Sequence, residues 1–254
     1  MKTSSLDLLQ ITDVQVVFDG FKALDVNYFG VDRGELRVVI GPNGAGKTTL
    51  CDVISGKTKP KAGRVIFDEV DITRLPDTAI SALGVGRKFQ TPTVFDSLTV
   101  FENLELALPG KRGVWRSLVA KVSPAERERI EQQLIRVKLI DQIHRSARLL
   151  SHGQRQWLEI SMLMLSSPKL LLVDEPAAGL TDHETALTAE LLLELKGDHT
   201  LIVIEHDMDF VRRLGSRVTC LCEGRVLADG TLDEVSANEQ VRSAYLGRAK
   251  KGDG

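Results

Sequence analysis

Three strongly apolar runs divide the chain. Leu36-Arg37-Val38-Val39-Ile40 reads as a short buried strand, and Leu170-Leu171-Leu172-Val173 and Leu201-Ile202-Val203-Ile204 read as central parallel strands buried on both faces. Ahead of them the pattern alternates. Leu9 and Ile11 share one face, the register slips at Thr12-Asp13, and Val14, Val16 and Phe18 alternate again, which predicts a twisted antiparallel sheet with a bend. Gly63 to Asp71 predicts a further strand pair, with Val65, Ile66 and Phe67 apolar, and Val218 to Asp229 predicts a hairpin about Glu223-Gly224.

Helical spacing fills the intervals. A helix from Thr49 to Ser55 is closed by Gly56, and a shorter one spans Pro76 to Leu83. From about Ser97 to Ser167 the composition turns helical, which predicts a smaller lobe. Within it, Pro109 to Lys121 is Gly-rich and basic and reads as a surface loop, while Ser123-Pro124-Ala125-Glu126 opens a helix continued by Ile130, Leu134 and Val137. Ser151 and Gln154 form a capping box for a helix through Trp157, Leu158 and Leu165. Thr181 and Glu184 open another, with Leu187, Leu191 and Leu195 on one face and Gly197 closing it. Val241, Tyr245 and Leu246 mark a last helix ended by Gly247. No internal repeat or heptad run is present.

Composition narrows the class. A chain of 254 residues suits one large α/β domain, or a core with a smaller lobe, and its net charge of −2 offers no basic field for nucleic acid. No apolar run approaches the roughly 20 residues that span a bilayer, and Met1 to Asp7 lacks the apolar core of an export signal. Cys51, Cys220 and Cys222 fit neither a disulfide framework nor a zinc spacing, and read as small core residues in a reducing compartment.

The chemistry begins after the first apolar run. Gly41-Pro42-Asn43-Gly44-Ala45-Gly46-Lys47-Thr48-Thr49 fits the phosphate-loop pattern G-x-x-x-x-G-K-[ST], and it lies between a predicted strand and a predicted helix, the order that pattern requires. Its backbone N–H groups would converge on a triphosphate, Lys47 would reach the β and γ oxygens, and the Thr48 hydroxyl would ligate Mg²⁺. At the end of the second run, Asp174 is placed to hold Mg²⁺ through water and Glu175 to orient or deprotonate an attacking water. Glu205-His206-Asp207 ends the third run, which places His206 where a γ-phosphate would lie. Other residues keep two readings. Phe18, in the turn-prone Phe18-Asp19-Gly20, is an edge aromatic or a platform for an adenine ring. Gln90 is an exposed strand-end amide unless it stands beside the nucleotide, and Ser151 to Gln154 is a helix cap or a receiver for phosphate oxygens.

Taken together, the segments from about Leu8 to Gly247 resemble the nucleotide-binding subunit of ABC transporters. Five motifs stand in that family's order: the phosphate loop, the glutamine loop at Gln90, the signature Leu150-Ser151-His152-Gly153-Gln154, the strand end Asp174-Glu175 and the switch residue His206. The resemblance implies a P-loop NTPase (RecA-like) α/β core with an antiparallel β subdomain and a helical subdomain carrying the signature. The whole chain, 1–254, would be a single ABC ATPase domain, with about 1–90 and 168–254 as nucleotide-binding core and about 91–167 as helical subdomain. It implies that Phe18, or failing it Phe21, stacks on adenine. Gln90 would touch Mg²⁺ and the attacking water while the loop Thr91 to Phe95 rests against a membrane subunit. Ser151 and Gly153, flanked by His152 and Gln154, would complete the γ-phosphate shell of a second ATPase subunit, identical or merely related, in a head-to-tail pair holding two ATP molecules. Permease subunits and, indirectly, a solute-binding protein would be the other partners, at the cytoplasmic face of the cell membrane.

Within the family the chain looks most like the importer branch for branched-chain amino acids and urea. Arg87 to Phe95, Leu150 to Ile160 and Glu205 to Met208 look like the urea-type subunit, which makes urea the expected solute and a branched-chain amino acid the alternative. Two positions depart from the family pattern. His152 replaces the first glycine of the usual signature, and Thr181 stands where many members carry an aspartate, with Asp182 one residue on. A soluble ABC ATPase acting on DNA or ribosomes is a rival, but the long coiled coil, second ATPase domain or basic surface usual in those relatives is missing from the sequence.

Overall fold

The computed structural model describes residues 7–88, 94–109 and 122–249. Two sheets organise them. Strands β1 (Asp7–Phe18), β2 (Phe21–Asp32), β4 (Ala62–Phe67) and β5 (Val70–Asp71) form an antiparallel sheet in the order β2-β1-β4-β5. Its predicted bend is a bulge: Asp13 takes φ 51, and the β1–β4 register shifts between Thr12 and Gln15.

The second sheet has the order β10-β9-β3-β8-β7-β6, built from β3 (Leu36–Ile40), β6 (Val85–Arg87), β7 (Leu170–Asp174), β8 (Thr200–Ile204), β9 (Arg217–Cys222) and β10 (Arg225–Gly230). All of its neighbours are parallel except the β9–β10 hairpin. Every residue of β3, β7 and β8 is buried, as continuous apolar runs require. The pleat sends alternate side chains to opposite cores. Val38, Leu171, Val173, Leu201 and Val203 pack toward the helices, whereas Val39, Leu170, Leu172, Ile202 and Ile204 pack toward the antiparallel sheet.

The helices are α1 (Lys47–Ile54), α2 (Asp77–Ala82), α3 (Val100–Ala107), α4 (Pro124–Arg136), α5 (His152–Met164), α6 (Asp182–Leu195), α7 (Met208–Leu214), α8 (Leu232–Ala237) and α9 (Glu239–Ala249). Each capping box expected at Ser123, Ser151 and Thr181 is formed in both directions. Thr99 and Thr231 make the same cap with Glu102 and Glu234. Some boundaries differ: α1 starts at Lys47, two residues ahead of the expected Thr49, and α9 runs through Gly247 to Ala249, because Gly247 does not adopt the positive φ that would turn the chain out of a helix. Of the loop expected over Pro109 to Lys121, residues 110–121 lie outside the described ones.

Candidate active site

Parallel pairing aligns the C-terminal ends of three strands. Val39 and Asp174 both pair with Ile204, so the loops leaving β3, β7 and β8 emerge side by side. The loop from β3 turns into α1 at Gly46, whose φ of 100 favours glycine and where a Cβ would stand 2.7 Å from the Ala23 carbonyl oxygen. No side chain caps this helix. Lys47 arches back over the loop, its Nζ donating to the carbonyls of Gly41 at 2.6 Å and Pro42 at 3.1 Å. Burial pulls the Lys47 ammonium below its ordinary pKa, while the Glu175 and Asp174 carboxylates work in the opposite direction.

Asp174 is buried, and among the described residues its Oδ2 has no hydrogen-bond partner. Burial, then the Glu175 charge, raises its pKa. Glu175 takes a left-handed φ of 48, with its N–H donating to the Ile204 carbonyl at 3.0 Å. That turn re-aims its side chain, and Glu175 Oε1 lies 3.5 Å from His206 Nδ1. The two groups remain partly open to solvent, 38% and 60% exposed, which suits residues that must meet a substrate.

Glu205 holds these loops together. Its buried carboxylate accepts N–H groups from Ala177 at 2.8 Å, His206 at 3.0 Å and Asp207 at 3.3 Å, tying the turn after β7 to the turn after β8. Lys88 is buried near Asp174, Glu159 and Glu205, and its pKa is lowered by burial against the pull of those carboxylates. Neither role was visible in the sequence; a carboxylate directly after a buried strand is the signal that points to Glu205. Gln90 lies outside the described residues.

The two aromatic candidates face each other across the β1–β2 hairpin, with Phe18 50% and Phe21 67% exposed. Phe21 shares an open groove of 1210 Å³ with Gly44, Arg225 and Gln240. Ser151 caps α5: its Oγ accepts from the Gln154 N–H at 3.2 Å, and Gln154 Oε1 accepts from the Ser151 N–H at 3.0 Å. His152 Nε2 lies 3.2 Å from Gln156 Nε2, and its side chain borders the cavity that contains Asp174 and Glu175. The site therefore unites Lys47, Asp174, Glu175 and His206, whereas the Ser151 hydroxyl is engaged with Glu184 on α6.

Residues 24–178 match the family described as ABC transporter, and residues 225–251 match the branched-chain amino acid ATP-binding cassette transporter family. The chain belongs to the ABC transporter ATP-binding family. It is 36% identical to the high-affinity branched-chain amino acid transport ATP-binding protein LivG of Salmonella typhimurium, covering 96% of this chain and 100% of that protein. With BraF of Pseudomonas aeruginosa, named for the same transport, identity is 35% over the same shares. Among solved structures, the ADP conformation of MJ1267, an ATP-binding cassette of an ABC transporter, superposes with a TM-score of 0.80 at 32% identity, covering 96% of this chain and 100% of that one. The dimeric MJ0796 cassette bound to ADP and Pi gives 0.73 at 25% identity, with 88% and 98% covered.

The expected ABC ATPase fold is thus the observed one, and the chain is an ABC transporter ATPase, similar to LivG, that uses ATP and Mg²⁺. The narrower urea-type expectation finds no counterpart in these relatives' names. Residues of the ABC site fit Mg²⁺: Asp174 offers a buried, unpartnered carboxylate oxygen, and Thr48 stands in the first turn of α1. No helix among the described residues is long and apolar enough to cross a membrane.

Proposed function

We propose that this ATPase powers a membrane importer for branched-chain amino acids, working peripherally at the cytoplasmic face of the cell membrane as one of two paired ATPase subunits. The convergence of Lys47, Asp174, Glu175 and His206 on one strand edge supports the motor assignment. The solute rests on the full-length similarity to LivG and BraF and on the branched-chain match at residues 225–251. The division into a nucleotide-binding core, 1–90 and 168–254, and a helical subdomain, 91–167, belongs to the same proposal.

In this reading the N–H groups of Gly41 to Thr49 cradle the phosphates, and Lys47 leaves its carbonyl partners to neutralise the β and γ oxygens. Phe18 or Phe21 carries the adenine ring. Thr48, Gln90 and, through water, Asp174 hold Mg²⁺, which supplies further charge neutralisation on the phosphate oxygens. Glu175 orients and deprotonates water, and His206 contacts the γ-phosphate and holds Glu175 in place. Ser151 and Gly153 act on the ATP of the paired subunit, and closure of the pair moves permease subunits docked near Phe95. Catalysis is then mostly positioning and charge stabilisation.

Uptake of labelled leucine and labelled urea, in cells carrying the intact chain or Glu175→Gln, tests the proposal. Loss of leucine uptake with urea uptake kept is the expected result. Loss of urea uptake alone would assign the chain to the urea-type importers instead, and no change in either would remove both solutes.

A further inference from the structure

The signature donors already hold an anion from the chain itself. Ser151 Oγ donates to Glu184 Oε1 at 2.7 Å, and the Gly153 N–H donates to the same carboxylate. Contact is close enough that a Cβ on residue 153 would stand 2.7 Å from both Glu184 Cδ and Oε1. Glu184 Oε2 accepts from the Thr181 N–H at 3.1 Å and from its hydroxyl at 3.0 Å, which fixes the carboxylate from the α6 side. These bonds hold the Glu184 carboxyl below its ordinary pKa, with the Ser151 hydroxyl the largest cause, so the group is an anion at neutral pH.

A carboxylate and a phosphate oxygen compete for the same donors, because both are satisfied by a hydroxyl and a backbone N–H at a helix N-terminus. We infer that Glu184 occupies the signature's phosphate-receiving donors in the unpaired subunit and must withdraw before the signature accepts the γ-phosphate of the paired subunit's ATP. This rests on the proposed action of Ser151 and Gly153 across the pair. Glu184 is thereby a residue that sets how much ATP is needed to close the pair, and it does so without touching the ATP bound to its own phosphate loop. Retaining the carboxylate after closure would set two anions against one set of donors, so release is required by charge alone.

The test uses the assembled transporter, so that the subunit has whichever ATPase partner it takes, in a Glu175→Gln background to stop turnover. A pair of spin labels on the two ATPase subunits reports closure as ATP is added. Glu184→Gln keeps the capping box through its one amide oxygen on the Thr181 side, and removes both the charge and the acceptor that faces Ser151 and Gly153. The expected result is closure at roughly tenfold lower ATP, the loss of one charge-assisted hydrogen bond from the open state. Glu184→Asp, whose shorter arm withdraws the carboxylate from Ser151, should shift closure in the same direction. Unchanged or higher ATP demand in both variants overturns the inference while leaving the pair itself intact. Absence of ATP-driven closure in the parent would instead overturn the reading of the signature on which the inference rests.

Discussion

Two helix N-termini in this molecule are assigned to phosphate in the function proposed above, and they stand in contrasting arrangements. At α1 the cap is Gly46, which brings no side chain, and the neighbouring Lys47 lies folded on the carbonyls of Gly41 and Pro42. At α5 the cap is Ser151, the capping box with Gln154 is closed, and Glu184 takes the Ser151 hydroxyl and the Gly153 N–H. On the proposed reading the first terminus takes ATP directly, whereas the second receives phosphate only after Glu184 withdraws. In that reading one physical device, a helix N-terminus with anion-receiving N–H groups, would serve as a standing site in one place and a conditional site in the other. The strand ends follow the first pattern. Among the described residues Asp174 Oδ2 is buried without a hydrogen-bond partner, and Glu175 and His206 are partly open to solvent.

The largest effect that sharpens the contrast is on turnover. Glu175→Gln should lower ATP hydrolysis by about 10³-fold, within the range for losing a general base, while ATP affinity of the isolated subunit stays within about twofold. Single-turnover hydrolysis and equilibrium binding check the two halves of this statement. Hydrolysis at the parent rate would remove Glu175 from the chemistry.

A smaller effect tests the standing site's cost. Burial and the Glu175 charge raise the Asp174 carboxyl above its ordinary value of 3.8, so the folded state binds its proton more tightly than the unfolded chain does. The charged form therefore costs stability once pH exceeds both values. Asp174→Asn should raise the stability of the nucleotide-free subunit by roughly 1 kcal/mol, about 2–4 °C in the midpoint for a domain of this size, while turnover falls. Thermal unfolding with excess chelator measures it; a lower midpoint would show that Arg87, Lys47 and Lys88 offset the burial of this charge.

Most of the standing site was legible in the sequence, because its signals are local. The phosphate loop, the apolar runs of β3, β7 and β8 and the acids at their ends are contiguous, and strands buried on both faces write themselves as unbroken hydrophobic stretches. The caps at Ser123, Ser151 and Thr181 were legible for the same reason. Glu184 shows the limit. Its part in the Thr181 cap spans three residues and can be read off the sequence, but its bond to Ser151 spans 33 and depends on how α5 and α6 pack. Glu205 and Lys88 are hidden likewise, since their partners arrive from Ala177, Glu159 and Asp174 only once the sheet has formed. The choice between Phe18 and Phe21 turns on which face of a hairpin tip meets the open groove beside Gly44, and periodicity does not extend into a turn.

The contrast between the two termini is tested most directly by measuring ATP affinity of the isolated subunit and turnover of the assembled transporter, side by side, for Lys47→Ala and Ser151→Asp. Lys47→Ala should weaken ATP binding by about 10–100-fold, the worth of charge-assisted contacts to the triphosphate, and should stop turnover. Ser151→Asp keeps an N-cap residue but places a fixed negative charge among the receiving donors; it should leave ATP affinity of the isolated subunit unchanged and lower turnover of the transporter by about 100-fold, the scale of losing an electrostatic stabiliser. Turnover preserved in Ser151→Asp, or ATP affinity lost in the isolated subunit, would contradict the account of one standing and one conditional phosphate site.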